Sequence, residues 1–339
     1  MKLQRILLLA SAALLASCAN STQNTSKASV EGLKAAANAE ANKTSVRYGI
    51  SGDVSIKGAY DGQTILDLSM ENIDAEANVK NLNGGILKAK TSDYNKSEIY
   101  MDGSVGKMNL KSYNYEEYED EGTVFASFST FAGNATGYMK GGDLYADLSK
   151  LNLTEALWNG QSGKDAPSKV ILEKVLSHYT FEGIGFTGFS FSQSDIETYV
   201  LKYCEFANSG NAEIATLKLS KEDIHSVYTS VNLAQWVIDV MPTVPEEEQN
   251  RALIAAKNRF NSEIASIVPS FDLELVFTYD STGLYSADID LEATVSPNGA
   301  KADEDKKYVY NYDIDASLKS RSNASFPDID WGSYTKVKY

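Results

Sequence analysis

Phe271-Asp272-Leu273-Glu274-Leu275-Val276-Phe277, then Asp280-Ser281-Thr282-Gly283, then Tyr285-Ser286-Ala287-Asp288-Ile289-Asp290-Leu291-Glu292-Ala293, is the stretch that decides the fold. Phe271, Leu273, Leu275 and Phe277 stand two apart. Beyond a cluster of turn-forming residues, Tyr285, Ala287, Ile289, Leu291 and Ala293 alternate back. A period of two sends these side chains to one face of a strand pair, and a short turn between the runs makes the pair a hairpin. The intervening residues are mostly acidic or polar, so the sheet is covered on one face and wet on the other.

The same pattern extends to both sides. Tyr308, Tyr310, Tyr312, Ile314, Ala316 and Leu318 predict one more long strand. Near the other end, Tyr48, Ile50, Val54 and Ile56 run into the turn Tyr60-Asp61-Gly62-Gln63. Leu66, Leu68, Met70, Ile73, Ala75, Ala77 and Val79 follow, then the turn Asn81-Leu82-Asn83-Gly84-Gly85. Shorter strands are expected over 86–90, 98–102, 106–113, 124–131, 135–140 and 144–148. In the middle the period changes. Helices are expected over 168–179 behind Pro167, and over 194–206 from an N-cap at Ser194, with strands over 184–191 and 212–219. Ser220-Lys221-Glu222-Asp223 reads as a capping box opening a helix to about Val240. Pro242 and Pro245 break it, and a last helix is expected over 246–267. The fold class expected is therefore α+β: a large curved antiparallel β-sheet, half-barrel-like, with a few helices packed on one face, forming a single domain over residues 44–339.

The first residues address the chain to a membrane. Lys2 and Arg5 precede an apolar run from Ile6 to Leu15 that is about half the ~20 residues a spanning helix needs. Leu15-Ala16-Ser17-Cys18 resembles the lipobox of bacterial lipoproteins. That resemblance implies a signal peptide over 1–17, lipidation of Cys18, and residence in the cell envelope outside the cytoplasm, held to a membrane by the lipid. Two or three acyl chains suffice for durable anchoring. Residues 18–43, poor in large apolar side chains, are expected to form a tether with a short helix around Val30–Ala41. Ala19 is not the aspartate that retains lipoproteins at the inner membrane of some bacteria with two membranes.

Cleavage would remove two of the 31 basic residues and leave 29 against 46 acidic ones, a net of −17. Nucleic acid and anionic headgroups are repelled by such a surface, so no nucleic-acid partner is expected. Cys204 has no intramolecular partner once Cys18 is lipidated, and its aromatic neighbours predict a buried, inert thiol.

The order of elements carries a second resemblance. An acidic lipoprotein with a long meander, a hairpin of the form Gly141-Gly142-Asp143-Leu144-Tyr145-Ala146-Asp147-Leu148 and a few helices resembles the LolA/LppX-like half-barrel lipoproteins. Membership would imply a lipid or acyl chain held between sheet and helices.

Motifs for chemistry lack their context. Gly183-Ile184-Gly185-Phe186-Thr187-Gly188 fits G-x-G-x-x-G, but strand character follows it where the dinucleotide fingerprint needs a helix. His178 and His225 are the two histidines, and no G-x-S-x-G marks a nucleophile. No paired ligands suit zinc, and the acidic runs Glu116–Glu121 and Asp303–Asp305 lack the fixed offsets of a calcium loop. Asp288, Asp290 and Glu292, like Asp313 and Asp315, read as the solvated face of strands. Asn134-Ala135-Thr136 and Asn323-Ala324-Ser325 fit a glycosylation pattern by chance. Twenty tyrosines suit a half-wet sheet, or an aromatic groove for a sugar or amphipathic ligand. No catalytic residue, metal or cofactor is expected. The function expected is that of a non-catalytic binding or carrier protein for an apolar ligand such as a lipid. Ile224, Val227, Val231, Trp236 and Val240 on the third helix are the candidates to line its site. The alternative is a surface interaction or structural protein that contacts another protein or a glycan, and an extracytoplasmic hydrolase stands third.

Overall fold

The computed structural model describes residues 29–81, 96–114, 123–158, 161–162, 168–173, 199–299, 307–321 and 323–336. Helix α1 (Val30–Ala41) leads into strands β1 (Ser45–Tyr60) and β2 (Gln63–Lys80). Then come β3 (Glu98–Val105), β4 (Lys107–Asn114), β5 (Thr123–Lys140), β6 (Asp143–Asp147), β7 (Leu151–Trp158), β8 (Gln161–Ser162) and β9 (Lys169–Leu172). Strands β10 (Cys204–Ser209) and β11 (Ala212–Ser220) precede α2 (Lys221–Asp239) and α3 (Glu246–Ile267). Strands β12 (Ser270–Asp280), β13 (Gly283–Val295), β14 (Tyr308–Arg321) and β15 (Thr335–Lys336) complete the chain.

All these strands belong to one open sheet in the order β10-β11-β12-β13-β14-β1-β2-β3-β5-β6-β9-β15, with β4 beside β2 and β5, and β7 between β5 and β8. Pairing is antiparallel throughout, except where β15 runs parallel to β9. The α+β class expected from the alternation is the one observed, a large open antiparallel sheet with a few helices.

Local chemistry explains the hairpins. Asp61 and Gly62 have φ of 49° and 77°, the two positive values that a two-residue turn needs to match the twist of its strands. A line of backbone irregularities crosses the sheet. Asn72, at φ 53°, bulges from β2 opposite Asp53, whose carboxylate accepts its N–H at 2.6 Å. On β1 the adjoining Gly52 has φ 137°, and a Cβ there would lie 2.0 Å from the Asp315 carbonyl oxygen. Beyond β2, Gly106 separates β3 from β4 and donates to the Glu71 carbonyl, and the register of β5 slips between Thr130 and Gly133. These breaks stand side by side on neighbouring strands, so the sheet can bend along one line. The two strands expected over 124–131 and 135–140 are the single strand β5 running through this bend.

Three sequence expectations are corrected. Lys169–Leu172 is strand, not the start of a helix: Val170 and Ile171 pair with β6 on one side and β15 on the other. Cross-strand partners outweigh a helical spacing in so short a β-branched run. The helix expected over 194–206 is helical where described over 199–203, with π geometry at Tyr199 and Val200 and 3-10 geometry at Leu201–Tyr203, but it ends there, and Cys204–Phe206 belong to β10. Helix α1 has the bounds expected, but it is packed into the body rather than carried on a tether. Leu33, Ala36 and Ala37 form a stripe buried against β12 and β13, and Ser29 caps the helix by accepting the Gly32 N–H at 3.1 Å. The expected strand over 184–191 lies outside the described residues.

The C-terminal segment 323–336 crosses the face opposite the helices. Phe326 and Trp331 meet Tyr138 edge-on, with ring centroids 6.2 and 5.0 Å away, and Trp331 and Tyr334 meet Tyr145. Ser325 donates its N–H to Asn78, and Lys80 sits 4.3 Å from the Phe326 ring centroid. The sheet therefore has helices on its inner face and an aromatic strap on its outer face.

Candidate functional site: the inner face of the sheet

Register builds the inner face row by row. Leu219, Leu273, Leu291, Ile314, Val54, Met70 and Met108 are successive cross-strand partners from β11 to β4. The neighbouring row runs Phe271, Ala293, Tyr312, Ile56 and Leu68. The interleaved rows carry Lys218, Glu274, Asp290, Asp315 and Asp53, which lie on the solvated outer face as the alternation predicts.

Helices α1 and α2 pack on β11, β12 and β13, and α3 packs on α2. The capping box is present as expected: Ser220 accepts the Asp223 N–H at 3.2 Å and Asp223 accepts the Ser220 N–H at 2.9 Å. Pro245 precedes the first turn of α3, where Glu246, Glu247 and Glu248 complement the helix dipole.

Burial fades along the rows that run from α2 across the sheet, whereas at the other end of β1 and β2 Val46, Tyr48, Ala77 and Val79 are buried. Every inward residue of β12 (Phe271, Leu273, Leu275, Phe277, Tyr279) is buried. On β14 only Tyr310 and Tyr312 are buried, while Ile314, Ala316 and Leu318 are half-buried. Val54 and Ile56 on β1, and Leu66, Leu68, Met70 and Ile73 on β2, are all half-buried. Tyr60, Tyr308, Tyr310 and Tyr312 form a ladder at one end of this surface, with centroids 4.6 to 6.5 Å apart. Burial raises the Tyr310 and Tyr312 phenols above their ordinary range.

The five α2 residues named from the sequence divide along the helix. Ile224 and Val227 are 2% and 0% exposed and belong to the core with Leu217 and Leu273. Val231 and Trp236 are half-buried and pack at the edge of that core. Val240, 37% exposed, caps the C-terminus. Beyond this edge the α2–α3 hairpin carries Ile238, 69% exposed, and Ile254, 62% exposed.

The remaining candidates are placed as follows. His225 Nε2 lies 2.7 Å from the Val268 carbonyl oxygen at the end of α3, a contact that fixes the ring to the fold. Burial pushes the Cys204 thiol up to about 12, so it is a poor nucleophile. Cys18, His178, the Gly183–Gly188 motif and the two acidic runs lie outside the described residues. Among the described residues no group of His, Cys, Asp and Glu is arranged to hold a metal ion, and no helix is long and apolar enough to cross a membrane. Two features escaped sequence reading: the strap, which has no periodicity, and the outward fading of burial, which depends on where the helices end. No family profile matches the chain, and no curated protein or solved structure shows significant similarity to it.

Proposed function

We infer that this is a lipid-anchored extracytoplasmic protein that binds or carries an apolar ligand and performs no chemistry on it. One observation carries the reading. The apolar rows run on across β14, β1 and β2, beyond the strands β11–β13 on which α1 and α2 pack, and there Ile314, Val54, Ile56, Leu68 and Met70 are only half-buried. An apolar surface of that kind gains about 25 cal/mol for each Å² removed from water, which an acyl chain laid along it would supply. Val231 and Trp236 border the surface from the helical side. The anchor on Cys18 would keep the protein beside its source of lipid. The element order of the half-barrel lipoproteins supports the same reading.

The test is extraction of purified, unlipidated Cys18→Ser protein with organic solvent, followed by mass spectrometry. A co-purifying lipid or acyl chain in near-stoichiometric amount is expected; a clean extract from folded protein contradicts the reading. The second reading, a surface interaction protein, is favoured by the exposed Ile238 and Ile254 on the projecting helical hairpin. A clean extract would promote it.

A further inference from the structure

The outer face holds a second concavity, chemically unlike the inner face. Asp102, Thr136, Asp147 and Lys169 are successive partners across β3, β5, β6 and β9, with Tyr100 in the next row and Asn134 on the other side. The strap passes over this corner with Asp328, Asp330 and Tyr334, and with the strands lines an open cleft of about 230 Å³. At ~30 Å³ per water this is room for roughly eight waters, the scale of one sugar ring.

The walls mix donors and acceptors. Lys169 lies 3.2 Å from Asp147 and 5.6 Å from the Tyr334 ring centroid. Asp147 also accepts the Ser149 N–H at 3.0 Å, and Asp330 accepts the Gly332 N–H at 3.2 Å. These bonds orient the carboxylates while leaving lone pairs to spare. Burial opposes ionisation of Asp147, but Ser149 and Lys169 outweigh it and hold the carboxyl below its ordinary range. Burial, with Asp102 nearby, raises the Tyr100 phenol, so it remains a donor at neutral pH.

Ligand classes separate on these walls. An anion would face three carboxylates on a chain of strong negative charge. A metal ion would face the ammonium groups of Lys150 and Lys169. An apolar chain would strip water from charged groups without replacing their hydrogen bonds. A neutral polyol avoids all three costs: its hydroxyls can donate to carboxylates and accept from ammonium groups, and its C–H face can rest on Tyr100 or Tyr334. We propose that the cleft between the C-terminal strap and strands β3, β5, β6 and β9 binds a neutral saccharide residue. This site is independent of the inner face and of the lipid reading.

The experiment is saturation-transfer NMR and calorimetry on the folded chain, with cellobiose, maltose, lactose and chitobiose as probes and galacturonic acid as an anionic control. At least one neutral disaccharide should bind saturably, and galacturonic acid should bind at least tenfold more weakly. Tyr334→Ala should weaken the sugar tenfold or more. Lys150→Ala, a substitution at an exposed side chain, should weaken it severalfold and guards against misfolding of the strap variant. Leu68→Glu on the inner face should leave sugar binding unchanged. Failure of all four sugars to saturate, or binding indifferent to both cleft variants, overturns the proposal.

Discussion

Tyr48 donates its hydroxyl to Glu40 Oε1 at 2.6 Å, with neither side chain exposed to solvent. The other carboxylate oxygen accepts from Lys43 at 2.5 Å and from the Leu284 N–H at 3.0 Å. One buried carboxylate thus ties the end of α1 to β1 and to the start of β13. A charge with three partners is tolerable in the interior; a charge that loses them is not. Glu40→Ala, which strands the Tyr48 hydroxyl and the Leu284 N–H, should cost about 3–5 kcal/mol. Tyr48→Phe, which removes one donor, should cost about 1–3 kcal/mol. Urea denaturation measures both, and equal small losses would show that α1 is held by its apolar stripe alone.

Ile224 and Val227 distinguish core from ligand lining. Ile224→Ala should destabilise by about 2–5 kcal/mol, as a methyl-rich side chain removed from a filled core does. Ile238→Ser at the hairpin tip should change stability by no more than about 0.5 kcal/mol. A negligible cost at Ile224 would move that residue from packing to the ligand surface.

The line of irregularities along which the sheet can bend passes through Gly52. Gly52→Ala forces a side chain into left-handed backbone and against the Asp315 carbonyl, so a loss of about 1–3 kcal/mol or more is expected by thermal or urea unfolding. Asn72→Gly, at the bulge opposite, should be close to neutral because glycine adopts the same φ freely. A tolerated Gly52→Ala would mean that the bend has another origin.

Stability should fall at both ends of the pH scale at the strap. Glu98 accepts the Tyr138 hydroxyl and pairs with Lys80 at 3.0 Å. The Tyr138 bond, strengthened by Lys80 and opposed by burial, holds the Glu98 carboxyl below its ordinary range. Its stabilisation is present above the unfolded carboxylate range and is lost as pH falls through the lowered folded value. Burial and Glu98 raise the Tyr138 phenol, so that contribution is present below about pH 10 and is lost as pH rises through the folded value. Glu98→Gln should flatten the acid limb of a stability–pH profile; an unchanged limb would assign it to other carboxylates.

The legible parts of this fold were those whose partners are near in sequence. The alternation of Phe271–Ala293 contains both strands and their turn, and Ser220 with Asp223 contains both halves of a cap. Val170 and Ile171 could not be read as strand because one of their partners, Thr335–Lys336, lies at the far end of the chain. Phe326, Trp331 and Tyr334 form no period, and it is distant partners, the tyrosines of β5 and β6 with Lys80 and Lys169, that give them a place. The α2 stripe was legible as apolar, but Ile224 and Val240 look alike on it; their difference comes from what each end of the helix packs on, the core at Ile224 and none of it at Val240. The outer cleft draws on strands β3, β5, β6 and β9 and on the strap, and no local signal joins them.

The proposed lipid anchor at Cys18 is tested by replacing that residue. Cys18→Ser should abolish partition into the detergent phase and leave the chain untrimmed or released from the membrane. A mutant that is processed and partitions like the parent would contradict lipidation at this residue.

Binding of a dansylated fatty acid to the unlipidated chain tests the apolar-ligand reading most directly. Saturable, blue-shifted fluorescence at one equivalent is expected, with affinity reduced tenfold or more by Leu68→Glu and by Ile56→Lys, and unchanged by Lys150→Ala in the outer cleft. Absence of saturable binding, or binding that both inner-face substitutions leave intact in folded protein, would contradict it.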